Sequence, residues 1–200
     1  GYVAGHYGYD DVHIDLRRLA QFAQARYFHA AVTGLDRSQR KVLLAGRPPL
    51  AYDFASINIG STPRMTQVPG AQAHAVPVKP IHQFNRRWLA LLDRVRAHER
   101  PMTIAVVGAG AGGVELTLAM QWRLHRELEA RGRRPQDLRF HLFSGSAEIL
   151  ATHTPWVRAR FLRLLGERGV VLHTNCAVTD VTADRVRTDR GDDVPADEVV

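Results

Sequence analysis

The chain has 200 residues, 45% of them hydrophobic, a length that suits one large domain or two small ones and a composition sufficient for a buried core. Its formal charge of +7 comes almost wholly from dispersed arginines, since Lys41 and Lys79 are the only lysines, so a solvated surface is expected and no nucleic-acid partner. The single cysteine, Cys176, excludes an internal disulfide framework and a CxxC redox pair, so any redox chemistry must come from a bound cofactor.

No run approaches the roughly 18 apolar residues of a membrane helix, and GYVAGHYGYD has neither a charged leader nor an apolar signal core, so a cytoplasmic location is expected. After this opening segment, Asp15 reads as the N-cap of a short helix over 16–25, with Leu16, Leu19, Ala20 and Ala23 at helical spacing. RYFHAAVTGLD, KVLLAG and LAYDFASINIG follow as β-rich runs separated by DRSQ and GRPP, which predicts a β-meander ending in a buried strand over 54–59. The proline-rich stretch over 61–80 is expected to be an irregular loop over a surface or a cofactor.

From 81 to 98, Phe84, Trp88, Leu89, Leu91, Leu92 and Val95 predict an amphipathic helix stopped by Pro101. A second unit then begins. MTIAVVG reads as a strand, AGGVELTLAMQWRLHRELEAR as a long helix and LRFHLFS as a second strand; Thr154-Pro155 opens another helix to about 168, and GVVLHT is the next strand. Strands alternating with helices predict an α/β fold with a doubly wound parallel sheet, because parallel neighbours need crossover helices. The last stretch reads as short alternating β segments and is expected to be cut in mid-strand.

Gly108, Gly110 and Gly113 form G-x-G-x-x-G between a predicted strand and a predicted helix. Gly108 permits the tight turn, Gly110 lets the backbone approach a pyrophosphate, and Gly113 allows close packing of helix on strand. The backbone of Ala109 and Gly112 belongs to the same predicted cofactor cradle. Free amides at the helix start, aided by the helix dipole, would hold phosphate oxygens; the alternative is a tight turn with no ligand. At the end of the second strand, where NAD proteins usually carry an acid for the ribose hydroxyls, stands Ser144. Its uncharged hydroxyl leaves NADPH open beside NADH, with His153 and Arg158 as candidates for a 2′-phosphate.

These residues resemble a known family. GYVAGHY, HIDLRRLA, YDFASINIGSTP, AVPVKPI, VVGAGAGGVEL and PADEVV look like the FAD-dependent pyridine nucleotide oxidoreductases, in the type II NADH dehydrogenase-like branch associated or fused with selenide, water dikinase. The resemblance implies that residues 1–101 are part of an FAD-binding domain with a connecting helix, and that 102–200 are an NAD(P)-binding domain. It also implies a fragment, which alone should bind FAD poorly. Gly60, ending INIG, would lie beside FAD, Lys79 would approach the flavin ring, and Glu115 would face the junction of flavin and nicotinamide.

The implied activity is hydride transfer from NAD(P)H to flavin, with electrons passing to a quinone or to a sulfur- or selenium-related small-molecule acceptor. Aligning two rings needs no acid–base triad, and none is evident. The resemblance leaves open a peripheral membrane or selenide, water dikinase association, and the oligomeric state is not readable. No metal site is expected, because HExxH and the common zinc spacings are absent, and Cys176 reads as a packed small hydrophobe. A short-chain dehydrogenase is disfavoured, since no tyrosine has a lysine four residues later. The rival reading keeps the fold but makes the chain a non-catalytic dinucleotide-binding module linked to selenophosphate synthesis.

Overall fold

The computed structural model describes residues 1–59, 67–97 and 100–200. They form two compact units: Gly8–Gly60, and a larger one made of Gly1–Tyr7 with Ser61–Val200.

The smaller unit opens with α1 (Leu16–Phe22). The Asp15 carboxylate accepts from the N–H groups of Arg17, at 2.9 Å, and Arg18, at 3.4 Å, satisfying amides that have no partner inside the helix. Strands β1 (Val32–Asp36), β2 (Lys41–Leu44) and β3 (Arg47–Ala51) form an antiparallel sheet in that order. The Asp36 carboxylate closes the first turn by accepting from the Ser38 and Gln39 amides and the Ser38 hydroxyl, and these bonds hold its pKa below the ordinary value. Pro48 and Pro49 lie in β3, an edge strand whose register with β2 shifts between Val42 and Leu44; prolines are tolerated at edges and bulges of this kind.

The expected buried strand over 54–59 is not observed. These residues carry no strand, Phe54 is 97% exposed, and Ile57 and Ile59 are exposed as well. An apolar run becomes a strand only when a neighbour supplies the ladder, and no described strand pairs with this one.

In the larger unit, the expected loop over 61–80 contains one helical turn, α2 (Ala71–His74), followed by a parallel bridge between Ala75 and Val199. Then come α3 (Ile81–Ala97), β4 (Met102–Val107), α4 (Ala111–Glu129), β5 (Leu138–Phe143), α5 (Pro155–Glu167) and β6 (Val171–His173). An antiparallel meander follows, β7 (Val178–Val181), β8 (Arg185–Thr188) and β9 (Asp193–Pro195), and then β10 (Glu198–Val199). The parallel sheet has the order β10-β4-β5-β6. Its central pair runs in register from Met102 opposite Leu138 to Val107 opposite Phe143.

Alternate residues of a strand point to opposite faces, and the two faces of this sheet have different covers. Ile104, Val106, Phe140 and Leu142 pack with Trp88 and Leu91 of α3, Leu124 of α4 and Leu165 of α5. Ala105 and Phe143 face the other way, into a cluster with Cys176, Val181, Val186 and Ala196. The expected α/β class with a parallel sheet is observed, but the antiparallel meander covers the second face where double winding would place helices.

Helix α3, the connecting helix expected before residue 101, packs within this unit. Its apolar face needs burial, and the sheet supplies the partner; each fully buried Trp or Leu there contributes about 1.5–3 kcal/mol. No described helix is long and apolar enough to cross a membrane.

Candidate functional site

The carboxyl ends of the parallel strands set up the glycine loop. Val107 N–H donates to Val200 O at 2.8 Å and Gly108 N–H to Phe143 O at 2.9 Å, so the loop starts between β10 and β5. Gly108 then takes φ +110°, a conformation natural only to glycine. Ala109 is buried and its carbonyl accepts from Leu150 N–H at 2.9 Å, which anchors the loop to the segment after β5.

Gly110 is the N-cap of α4 and has no side chain to cap it. Helical bonding begins with Val114 N–H donating to Gly110 O at 3.0 Å, so the amides ahead of it have no acceptor inside the helix. The 19 residues of α4 add their dipoles behind that end. Gly108, Gly110, Ala111 and Gly112 are exposed. A Cβ built on Gly108, Gly110 or Gly112 would meet nothing within 4 Å, whereas one on Gly113 would lie 1.8 Å from Gly108 O. Gly113 is therefore required by the protein's own packing; at Gly110 and Gly112 the chain leaves room that its own atoms do not use. Thr117, fully buried, locks the same turn by donating from Oγ1 to Gly113 O at 2.7 Å.

Ser144 follows β5, next to the Phe143 carbonyl that receives Gly108. It is 5% exposed, and its Oγ accepts from Ser146 N–H at 3.2 Å. Arg158, a candidate for a 2′-phosphate, pairs with Glu148 instead. Sequence reasoning missed Glu148, whose signal was an acid a few residues beyond the second strand. His153 shares a contact with Thr152 Oγ1 at 3.3 Å. Glu115 is exposed on α4, just beyond its first turn.

An apolar cavity of about 280 Å³ opens at the carboxyl ends of β4 and β10, lined by Val68, Ala71, Val78, Val107, Val181 and Val199 among others. All its lining residues are aliphatic or proline, so it can exclude water and hold a flat apolar group but cannot move a proton. Lys79, exposed, follows the lining residue Val78. The structure thus places Gly108, Ala109, Gly110, Gly112, Gly113 and Glu115 after β4 and Ser144 after the neighbouring β5, with Lys79 one residue in sequence from a residue that lines the adjoining cavity. Gly60 lies outside the described residues.

Residues 10–200 match the family described as pyridine nucleotide-disulphide oxidoreductase. The chain is 30% identical over 169 residues to the NADH dehydrogenase-like protein YutJ of Bacillus subtilis, covering 84% of this chain and 43% of that protein. It is 28% identical over 178 residues to the demethylphylloquinone reductase NdbB of Synechocystis, covering 86% and 42%. Among solved structures, NDH2 from Plasmodium falciparum in complex with NADH superposes with a TM-score of 0.76 at 17% identity, covering 88% of this chain and 40% of that one. The water-forming NADH oxidase from Lactobacillus brevis bound to NADH superposes with a TM-score of 0.74 at 19% identity, covering 99% and 42%. The chain spans less than half the length of the curated relatives it matches. By its match over almost the full chain, this protein belongs to the pyridine nucleotide-disulphide oxidoreductase family.

Proposed function

We propose that the chain supplies the nicotinamide-dinucleotide site of an FAD-dependent NAD(P)H oxidoreductase. The observation that carries this reading is the space left at Gly108, Gly110 and Gly112, above first-turn amides with no helical acceptor. A diphosphate fits such a cradle because the amides donate to its oxygens and the helix dipole favours its charge. The relatives support the donor: two of the similar structures are described as NADH-bound.

When bound, the nicotinamide and flavin supply the hydride chemistry. The chain's own work is to bind, align and keep water out. The backbone of 108–113 grips the diphosphate, and Ser144 marks the ribose end. The valine-lined cavity shields an apolar ring. Glu115 and Lys79 are assigned to the junction with the flavin, Lys79 as a cation beside reduced flavin and Glu115 as a positioning carboxylate. Gly60 is assigned to the FAD.

Electrons pass on to a small-molecule acceptor, with a quinone favoured by the name of the demethylphylloquinone reductase relative. A sulfur- or selenium-related acceptor and an association with selenide, water dikinase rest on the sequence resemblance, as does a cytoplasmic setting. So does the division at residue 101 between FAD-binding and NAD(P)-binding parts.

The test is an anaerobic titration of the intact protein's flavin absorbance with NADH and with NADPH. Bleaching by one donor is the expected result. Bound flavin that neither donor bleaches would favour a non-catalytic dinucleotide-binding module. Glu115→Ala should slow bleaching and leave FAD content unchanged; unaltered kinetics would remove Glu115 from the site.

A further inference from the structure

Beyond the glycine loop, a short His-x-x-Cys pair and an acid from a distant turn meet in space. His173 ends β6, Cys176 lies in the turn after it, and Asp192 lies between β8 and β9. One ligand atom from each residue lies within 4.8 Å of the other two. Cys176 Sγ stands 3.5 Å from Asp192 Oδ2. Bonds of about 2.3 Å to sulfur and about 2.0 Å to oxygen put two ligands of a tetrahedral zinc about 3.5 Å apart. That edge of a coordination tetrahedron therefore already exists. The expectation of no metal site rested on the absence of HExxH and the common zinc spacings; here one His-x-x-Cys pair is completed by Asp192 from a separate segment, and that partner has no spacing signal.

The ligands are held before any ion arrives. The ring of His173 stacks on Phe143 with centroids 4.3 Å apart and 9° between planes. Its Nε2 lies 3.0 Å from His141 Nδ1, so with Nε2 engaged Nδ1 is the nitrogen left for an ion, and His141 holds the ring as second partners of metal-bound histidines do. Thr188, itself buried, donates from Oγ1 to Asp192 Oδ2 at 3.2 Å and accepts from Asp192 N–H at 3.2 Å. Asn175, at φ +47°, turns the chain so that Cys176 comes back beside His173. Cys176 is buried while Asp192 is exposed, which leaves one side of the cluster open to solvent.

We propose that His173, Cys176 and Asp192 bind one divalent cation of the zinc type, tetrahedral, with a water in the fourth position and His141 as a positioning residue. One thiolate, one imidazole and one carboxylate suit zinc and similar borderline cations; magnesium and calcium prefer all-oxygen sites. Binding breaks the Cys176 S–H bond and forms a sulfur–metal bond. The proton goes to solvent, the metal stays divalent, and nothing is oxidised or reduced.

The ion acts as a staple. It ties the end of β6 to the β8–β9 turn, and through Ser144 to the end of β5, because Ser144 N–H donates to His173 O at 2.7 Å and Cys176 N–H to Ser144 O at 2.9 Å.

The experiment measures zinc on the intact protein after micromolar zinc and dialysis, by metal analysis and zinc-edge X-ray absorption. One zinc per chain with a single sulfur neighbour at about 2.3 Å is expected. Cys176→Ser, His173→Gln and Asp192→Asn should each weaken zinc binding at least tenfold in competition with a chromophoric chelator, and His141→Phe by roughly 10–100-fold. Zinc should raise the Tm of the wild type and not that of Asp192→Asn. Should Cys176→Ser fail to fold, Asp192→Asn, at an exposed position, decides alone. A wild type that retains no zinc, or zinc content and sulfur coordination unchanged in Asp192→Asn, overturns the proposal.

Discussion

Gly113 sits directly over the carbonyl oxygen of Gly108, so closely that a Cβ at 113 would stand 1.8 Å from that oxygen. The first turn of α4 thus packs on the turn that leads into it, and both glycines serve one contact. Because backbone is what blocks the space, the clash cannot be relieved by a rotamer change. Gly113→Ala is expected to destabilise the protein by about 1–3 kcal/mol, the usual cost of overpacking, seen as a lower urea midpoint. An unchanged midpoint would show that the loop shifts freely.

Gly110 offers the contrasting case, since its Cβ would meet nothing of the protein. Gly110→Ala should alter stability by no more than about 1 kcal/mol, the cost of a poorer N-cap. It should nevertheless raise the Kd for NADH at least tenfold, about 1.4 kcal/mol, by occupying the room proposed for a diphosphate. Calorimetric titration of the variant reads this, and wild-type affinity would move the phosphates elsewhere.

Glu127 of α4 is the hub of an arginine network. Arg96 of α3 grips it in two places, Nε to Oε2 at 3.0 Å and Nη2 to Oε1 at 3.1 Å, and Arg123 and Arg131 add bonds of 3.0 Å each. The Arg96 hydrogen bonds, joined by the charges of Arg96, Arg123 and Arg131, lower its pKa from 4.5 to about 2. A depressed carboxylate contributes stability above its unfolded pKa and loses it as pH falls, here between 4.5 and about 2. Glu127→Gln should cost on the order of 1–3 kcal/mol at neutral pH and flatten the acid limb of the stability curve in that window. A wild-type acid limb in the variant would sink this assignment.

His125 loses stability in the same direction, over a higher pH window and for a different cause. It packs edge-on to Phe140 with centroids 6.3 Å apart, and its Nε2 has no partner among the described residues. Burial, chiefly, holds its pKa below the usual 6.5. The folded chain therefore keeps it neutral where the unfolded chain would protonate, so its contribution is whole above 6.5 and declines as pH falls below it. His125→Leu should leave stability at pH 8 within about 1.5 kcal/mol and make the loss below pH 6.5 shallower, as urea midpoints across a pH series would record.

Much of the fold was legible because its signals are local. The 3.6-residue apolar period of α3 and α4, the Asp15 cap, Pro155 at the start of α5 and the glycine spacing after β4 each lie within one short window. The glycine cradle was readable for the same reason: turn, approach and packing are tasks of adjacent residues. Long-range pairing was not readable. Residues 54–59 have strand-forming composition without a strand, and Glu198–Val199, only two residues long, becomes the edge of the parallel sheet by lying beside Ile104 and Ala105. The meander's place over Ala105 and Phe143, and the arrival of Asp192 beside the His173–Cys176 turn, depend on contacts between residues distant in the chain, Asp192 standing 16 positions beyond Cys176. Local propensity and spacing determine which segments become helices and where an amide end is left bare. Which apolar surface covers which, and which side chains then share a few ångströms, is decided only when the whole chain competes for burial.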